Sequence, residues 1–263
     1  MAESIPVIIL CGGRGTRLQE EAEIKPKPLV DIGNRPILWH IMKTYAHFGF
    51  RRFILCLGYK GSMIRQYFLN YEVAHEDFTI RLGQTKKIRV HRPHQEQGWE
   101  VTLAETGPTA QTGARLKRVE KYVNSSLFML TYGDGLADIS IPELLEFHLS
   151  HGKIGTVTGV PPIPRFGELN AQGHEVKGFL EKPAVHGGLI NGGFFVFQKE
   201  FFSYLSAEDG CVLEKEPMAR LAKDHQLMVY RHQGFWQCMD TFRDCQLLND
   251  IWARGHATWK VWD

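Results

Sequence analysis

Cysteine is scarce in this sequence and is not arranged for a structural or metal-binding role. Five cysteines are spread over 263 residues, and none forms a Cys-x-x-Cys pair. The odd number and the scatter argue against a disulfide framework and against a zinc site. The run His91-Arg92-Pro93-His94 has no second ligand pair at a workable spacing, which favours a solvated loop. We therefore expect free, mostly buried thiols in a reducing compartment.

Long apolar runs and an excess of one charge are also missing. No apolar run approaches the roughly 18 residues of a membrane-spanning helix. The first six residues lack the basic and apolar regions of a secretory signal. The 31 basic and 29 acidic residues leave a net charge of +2, which is too small an excess to favour a nucleic-acid partner or a membrane surface. We expect a cytoplasmic protein in which any affinity for phosphate depends on local placement of charge.

The sequence does contain the pattern of one α/β core. Apolar residues make up 43% and charged residues 23%, which is typical of a globular protein. Apolar, strand-like runs at residues 5–11 and 53–57 end at glycine, and a helix-like segment follows each. This order predicts right-handed crossovers and a Rossmann-like, mostly parallel sheet flanked by helices. Because no linker or repeat interrupts the chain, residues 1–263 are predicted to form a single domain.

The remaining elements are less regular. Residues 72–112 are polar, with short extended pieces, and predict an excursion over the carboxyl edge of the sheet. Ser140 and Glu143 form a capping box that starts a helix running to about residue 152. Further helices are predicted at residues 112–122 and 241–253, and further strands at residues 127–132, 154–160, 179–181, 194–197 and 227–231.

A glycine-rich turn follows the first strand. Residues 10–18 read Leu-Cys-Gly-Gly-Arg-Gly-Thr-Arg-Leu, so three of four consecutive positions from Gly12 are glycine. Glycine lets backbone N–H groups turn toward an anion and lets a phosphate approach closely. The spacing fits neither a Walker A loop nor the Rossmann dinucleotide fingerprint. Alone, such a turn is more commonly structural, so the phosphate interpretation depends on the cations nearby.

Two lysines alternate with prolines after this loop, in Lys25-Pro26-Lys27-Pro28-Leu29. Each proline restrains its own backbone and biases the preceding residue toward an extended form. Alternate side chains of an extended segment point the same way, so at least one lysine can reach phosphates held by the glycine turn. A solvated lysine pair beside a rigid turn is the alternative. Together with the loop, the pattern favours phosphate binding.

These two motifs together are similar to the signature of sugar-1-phosphate nucleotidyltransferases. The resemblance implies the nucleotidyltransferase (GT-A-like) fold with sugar-binding embellishments. It also implies that Arg17 and Lys27 neutralise the triphosphate and act in catalysis, with Lys25 the less favoured lysine. The nucleotide-binding residues implied by the resemblance are Leu10, Gly12, Gly13, Gly15, Thr16, Arg17, Lys27, Thr112, Gly113, Arg115 and Gly133.

Two aspartates far apart in sequence are candidate metal ligands. Asp134 lies between glycines where a predicted strand ends, and Asp240 precedes the last predicted helix. A turn-stabilising role for Asp134 and a helix N-cap role for Asp240 are the alternatives. The resemblance implies that both hold Mg²⁺, an ion that prefers a few carboxylates completed by substrate phosphates and water. Asp138 is interpreted as a structural carboxylate.

The sugar phosphate is expected at a third group of motifs. Glu181 and Lys182 stand side by side in a Glu-Lys-Pro run, where a surface charge pair is the alternative. The resemblance implies that Glu181 binds sugar hydroxyls, that Lys182 grips the sugar's phosphate, and that Asn191 and Gly167 complete the pocket. The nucleophile is a phosphate oxygen already ionised at neutral pH, so the reaction needs cations and metal rather than a general base.

Within the family, the resemblance is strongest to the branch that uses CTP and glucose 1-phosphate. It extends over residues 36–42, 58–61, 131–135, 191–196 and 234–237, and over Thr112-Gly113-Ala114-Arg115, where Ala114 replaces a usual glycine. A uridylyl- or thymidylyltransferase, a metal-dependent glycosyltransferase and a non-catalytic nucleotide-sugar sensor remain alternatives. The resemblance also implies a homo-oligomer, with contacts expected in residues 72–112.

Overall fold

The computed structural model describes residues 4–13, 25–83, 87–92, 96–162, 168–180 and 188–262. Its strands are β1 (Val7–Leu10), β2 (Asp31–Ile32), β3 (Arg35–Pro36), β4 (Arg52–Leu57), β5 (Phe78–Arg81), β6 (Lys87–Val90), β7 (Glu100–Glu105), β8 (Leu127–Tyr132), β9 (Gly135–Ala137), β10 (Gly155–Val160), β11 (Glu168–Gln172), β12 (Glu175–Leu180), β13 (Ile190–Gln198), β14 (Leu227–Arg231) and β15 (Trp236–Cys238). Its α-helices are α1 (Ile37–His47), α2 (Gly61–Leu69), α3 (Tyr71–His75), α4 (Thr112–Arg118), α5 (Ile141–His151), α6 (Glu216–Lys223) and α7 (Phe242–Ala253).

Seven strands form the central sheet, in the order β14-β10-β13-β8-β1-β4-β7. Strand β1 pairs in parallel with β4 and β8, and β4 pairs in parallel with β7. Strands β10 and β14 are also parallel. Only β13, among the seven, runs antiparallel to both of its neighbours, β8 and β10. The predicted mostly parallel α/β sheet is confirmed, with one reversed strand that the sequence pattern did not reveal.

The central strands are buried on both faces because helices cover each side. Along β1, Val7 and Ile9 face one apolar cluster, which includes the buried side of α1. The alternate residues Ile8 and Leu10 face a second cluster, to which α4 and α6 contribute. The period-two alternation of a strand thus divides one continuous apolar run between two cores.

Small sheets extend from this core. Strands β5 and β6 pair in antiparallel fashion, and their residues are exposed except for Val90, which is half-buried. Strand β11 pairs with β12. Residues 72–112, predicted as an irregular excursion, therefore contain the β5–β6 pair, the short helix α3 and the edge strand β7. The predicted helix over 112–122 ends at Arg118, and a 3-10 turn follows at Glu120–Tyr122. Helix α6 had no predicted counterpart.

The two-stranded sheet of β9 and β15 matters most for the site. It pairs Gly135 with Cys238 and Ala137 with Trp236, so the segments that follow β8 and precede α7 run side by side. The backbone N–H of Met239 then donates to the Asp134 carbonyl at 2.8 Å. The five cysteines form no disulfide, as expected. None of the described helices has the length and apolar character needed to cross a membrane.

Candidate active site

The candidate site lies where the parallel strands β1 and β8 end side by side. The backbone N–H of Gly133 donates to the Leu10 carbonyl at 3.2 Å. A Cβ atom at Gly133 would lie 2.9 Å from that carbonyl oxygen and 3.2 Å from Pro28. Only glycine permits so close an approach between the two strand ends and the segment that carries Lys27.

A cavity of about 240 Å³ opens at this edge of the sheet. Predicted residues from four separate parts of the chain line it, namely Leu10, Gly12, Gly13, Lys27, Thr112, Arg115, Gly133 and Asp134. A larger cavity of about 680 Å³ lies between the β5–β6 pair and the α2–α3 region. The described residues that line the larger cavity include two glutamates and no cation. The smaller cavity is therefore the better candidate for a phosphorylated ligand.

Lys27 joins the two aspartates that the sequence separates by more than a hundred residues. Its Nζ lies 2.6 Å from Oδ2 of Asp134 and 2.7 Å from Oδ1 of Asp240. Their side chains are 13%, 29% and 25% exposed, so the cluster is largely withdrawn from bulk water yet open to the cavity. The structure therefore brings three predicted residues to one point.

The two carboxylates keep the Lys27 ammonium charged. Burial by itself lowers the pKa of Lys27, but the charge and hydrogen bond of Asp134, and then those of Asp240, outweigh it. The net effect raises the pKa of Lys27 above its ordinary value. Two carboxylates and one ammonium leave a formal charge of −1, so the cluster can accept a further cation.

Asp240 is not the N-cap of the last helix. Thr241 caps α7 by accepting from the backbone N–H of Asp244, while Asp244 accepts from the backbone N–H of Thr241. This capping box satisfies the helix start without the Asp240 side chain. The carboxylate of Asp240 is therefore available to Lys27, and it also accepts a weak hydrogen bond from the Cys238 thiol at 3.5 Å.

Arg115 lies against Gly12, and its side chain is buried, with 4% exposure. Its Nη2 donates to the Gly12 carbonyl at 3.0 Å. Its Nη1 donates to the carbonyls of Leu57 and Gly107 and to the Thr106 hydroxyl, at 2.7 to 3.0 Å. A side chain at Gly12 would overlap the guanidinium. Arg115 thus fixes the backbone at Gly12. Its predicted contact with the base or phosphates stays a prediction.

Thr112 and Gly113 form the start of α4. The Thr112 hydroxyl accepts from the backbone N–H of Leu213 at 2.9 Å. A Cβ atom at Gly113 would lie 2.7 Å from the sulfur of Cys211 and 3.0 Å from its carbonyl oxygen. Gly113 therefore has a packing role, because it lets the segment before α6 lie directly against the helix start.

Asn191 lies on β13, beside the end of β8. Its Oδ1 accepts from the backbone N–H of Gly193 at 2.8 Å, and its Nδ2 donates to the Tyr132 hydroxyl at 3.0 Å. Sequence reasoning assigned no role to Tyr132 or to Glu214, which accepts from that hydroxyl. Tyr132 precedes Gly133 in the motif itself, whereas nothing in the sequence around Glu214 indicates its proximity to the site.

Several predicted residues lie outside the described parts of the chain. They are Gly15, Thr16 and Arg17 of the glycine loop, and Gly167, Glu181 and Lys182 of the sugar motifs. Their roles stay predictions. Within the described residues, no group of three or more histidine, cysteine or acidic side chains is arranged to hold a metal ion. A metal in the candidate site would thus be held by Asp134 and Asp240, with substrate phosphates and water as its further ligands.

Comparison with known proteins places this site in a family. A family model described as nucleotidyl transferase matches residues 6–244. A putative glucose-1-phosphate thymidylyltransferase from Bacillus anthracis superposes with a TM-score of 0.68 at 18% identity, covering 94% of each chain. HddC from Yersinia pseudotuberculosis, complexed with GMP-PN, gives a TM-score of 0.67 at 22% identity, over 94% of this chain and 99% of that one. The chain belongs to the nucleotidyl transferase family, and its predicted fold is confirmed.

Sequence relatives narrow the comparison. The glucose-1-phosphate cytidylyltransferase of Salmonella typhi is 46% identical over 257 residues, which cover 97% of this chain and 99% of that one. A probable glucose-1-phosphate cytidylyltransferase of Bacillus subtilis is 43% identical, over 97% of this chain and 99% of its own length. Mannose-1-phosphate guanylyltransferase catalytic subunit beta of Xenopus tropicalis is 30% identical, over 96% of this chain and 67% of its own length.

Proposed function

We propose that this chain is a glucose-1-phosphate cytidylyltransferase. It transfers a cytidylyl group from CTP to α-D-glucose 1-phosphate and releases CDP-glucose and pyrophosphate. The observation that carries the proposal is the convergence of Lys27, Asp134 and Asp240 beside the glycine loop. It occurs in a chain that aligns over 97% of its length with cytidylyltransferases at 43% to 46% identity.

The reaction follows from the charges of its substrates. A phosphate oxygen of glucose 1-phosphate attacks the α-phosphorus of CTP, and the bond to the β-phosphate oxygen breaks as pyrophosphate leaves. The second pKa of a phosphate monoester is about 6, so the nucleophile is ionised at neutral pH and needs no general base. The barrier comes from bringing two anions together, and cations that hold them in line reduce it.

Lys27 and the two aspartates would have different roles in neutralising the charge of the substrates. The ammonium of Lys27 would meet the phosphates of CTP, from its position in the wall of the cavity. Asp134 and Asp240 would hold Mg²⁺, since their oxygens already converge on a single cation and the cluster carries excess negative charge. The bound ion would supply charge neutralisation at the triphosphate.

The remaining assignments follow the family pattern. Backbone N–H groups at Gly12 and Gly13, together with Arg17, would hold the triphosphate. Thr112 and Gly113 would lie at the nucleoside, and the sugar phosphate would meet Gly167, Glu181, Lys182 and Asn191. A cytoplasmic location and a homo-oligomeric assembly are further parts of this proposal.

A comparison of CTP, UTP and dTTP as substrates tests the proposed function. Pyrophosphate release is measured with glucose 1-phosphate and CTP, UTP or dTTP, with a blank that lacks the sugar phosphate. We expect kcat/KM to be highest for CTP. Preference for UTP or dTTP would instead make the chain a uridylyl- or thymidylyltransferase, and binding without release of pyrophosphate would favour a sensor.

A further inference from the structure

Glu214 connects two parts of the candidate site that are distant in sequence. Its Oε2 accepts a hydrogen bond from the Thr112 hydroxyl at 2.7 Å, and its Oε1 accepts one from the Tyr132 hydroxyl at 2.6 Å. The Tyr132 oxygen in turn accepts from Nδ2 of Asn191 at 3.0 Å. Three hydrogen bonds thus link the start of α4, at the predicted nucleoside position, to β13, at the predicted sugar position.

The carboxylate sets the direction of every bond in this chain. A tyrosine hydroxyl has one proton, and an ionised carboxylate can only accept, so Tyr132 donates to Glu214. Burial, and then the nearby charge of Glu214, raises the pKa of the Tyr132 hydroxyl, which keeps it protonated. Its oxygen can then only accept from Asn191. The amide nitrogen of Asn191 must therefore face Tyr132.

The other end of Asn191 is held as well. Its Oδ1 accepts from the backbone N–H of Gly193 at 2.8 Å. The amide is thus oriented from both sides, with one N–H and one lone pair of Oδ1 left for a ligand. Reversing the amide would place its oxygen against the Tyr132 oxygen and its nitrogen against a backbone N–H.

Local packing fixes the ring of Tyr132, whose hydroxyl contacts both Glu214 and Asn191. Gly193 has φ of +81°, and a Cβ atom there would lie 2.6 Å from Cδ2 of Tyr132. The Tyr132 ring also packs edge to face against Phe195, with centroids 5.9 Å apart. The indole N–H of Trp236 donates to the Gly192 carbonyl at 2.7 Å and anchors the same turn. The ring therefore has little freedom, and its hydroxyl direction depends on Glu214.

We propose that Glu214 is a positioning residue for the transfer reaction, because it orients Asn191 toward the sugar phosphate through the Tyr132 hydroxyl and holds Thr112 at the nucleoside end. This proposal rests on the proposed function, which gives Asn191 its place at the sugar and Thr112 its place at the nucleotide. Glu214 itself need not touch either substrate.

The test cuts the chain of hydrogen bonds at three places and measures KM for each substrate separately. Tyr132→Phe should raise KM for glucose 1-phosphate about tenfold, the usual effect of one lost hydrogen bond, and leave KM for CTP unchanged. Thr112→Val should raise KM for CTP alone. Glu214→Ala should raise both, while Glu214→Gln, which retains one acceptor oxygen, should restore part of the loss.

A double-mutant cycle separates positioning from general support of the fold. If Glu214 acts through Asn191, Glu214→Ala should change KM for glucose 1-phosphate little once Asn191→Ala is present. Fully multiplicative effects would overturn the proposal. Equal effects of Tyr132→Phe on both substrates would overturn it too. Glu216→Ala, which removes an exposed carboxylate that pairs with Arg220, is the matched control and should leave both values unchanged.

Failure of the proposal and failure of the proposed function give different results. A wild-type protein that releases no pyrophosphate from CTP refutes the enzyme assignment, and this inference with it. A wild-type protein that is active, with KM values unaffected by Glu214→Ala and Tyr132→Phe, refutes only the inference. Thermal melting of each variant identifies misfolding, and Glu214→Gln replaces Glu214→Ala should the alanine variant not fold.

Discussion

Lys27, which is half-buried, and His40, which is fully buried, differ in whether they keep a positive charge. Both join a segment near the amino terminus to the last part of the described chain. Lys27 lies between two carboxylates, and its pKa is raised. His40 is fully buried, and burial lowers its pKa to about 4. The rings packed around it are those of Trp39, Trp252, Trp259 and Trp262.

The two pKa values shift in opposite directions because Lys27 and His40 have different partners. A group withdrawn from water stays protonated where opposite charges compensate its lost hydration, and it becomes neutral where the surroundings are apolar. The ring nitrogen Nε2 of His40 lies 2.9 Å from the Ile32 carbonyl, which a neutral imidazole can satisfy. The Lys27 cluster keeps its charges beside the cavity that we propose to bind CTP. The His40 cluster fixes the chain after α7 against α1 and serves stability.

The largest expected effect comes from breaking the charged cluster. Asp134→Asn removes one of the two carboxylates that face Lys27 and should lower kcat for pyrophosphate release about 10³-fold, the scale of a lost electrostatic contact in an active site. Thermal melting should show an intact fold. Asp138→Asn, four positions along the same segment, is the control and should keep activity near that of the wild type. Activity of Asp134→Asn above a tenth of wild type would contradict the assignment.

Truncating the aromatic cluster should cost stability instead of activity. Trp259 is completely buried against His40, Phe235 and Trp252. Trp259→Leu should lower the free energy of unfolding by about 3 kcal/mol, measured by urea denaturation, because the smaller side chain leaves a partly filled cavity. Leu247→Ala, on the exposed side of α7, is the control. A loss of activity in folded Trp259→Leu protein would show that the two regions are coupled.

Acid should weaken the protein through its buried histidines. The pKa values of His40 and His148 are both lowered to about 4, chiefly by burial. The unfolded chain therefore binds more protons between about pH 6.5 and 4, and the free energy of unfolding falls as pH decreases through that window. At pH 5 each histidine should account for about 2 kcal/mol of the loss.

Urea denaturation at pH 7 and pH 5 measures this effect. His40→Gln removes the titrating group and should show a smaller decrease than the wild type between the two pH values. The nearby charges of Arg35 and Asp31, which act on the pKa of His40 in opposite directions, remain in the variant. An unchanged decrease in His40→Gln would mean that other groups account for the acid sensitivity.

Much of the site could be predicted because it depends on short motifs. Glycines at the end of β1, the Lys27 segment and Asp134 at the end of β8 each have a local pattern, and parallel strands bring their carboxyl ends to one edge. The contacts of Arg115 and Glu214 could not be predicted in this way. Arg115 donates to carbonyls of three separate segments of the chain. Glu214 meets donors 102 and 82 positions away.

The amino-acid sequence by itself determined the alternation of strands and helices, the glycine turn and the residue types available for phosphate chemistry. These properties follow from local backbone preferences and from the spacing of apolar side chains. Only the tertiary structure decided that β13 is reversed and that one ammonium joins Asp134 to Asp240. Those outcomes depend on which segments meet when both faces of the sheet are covered, and no local pattern contains that information.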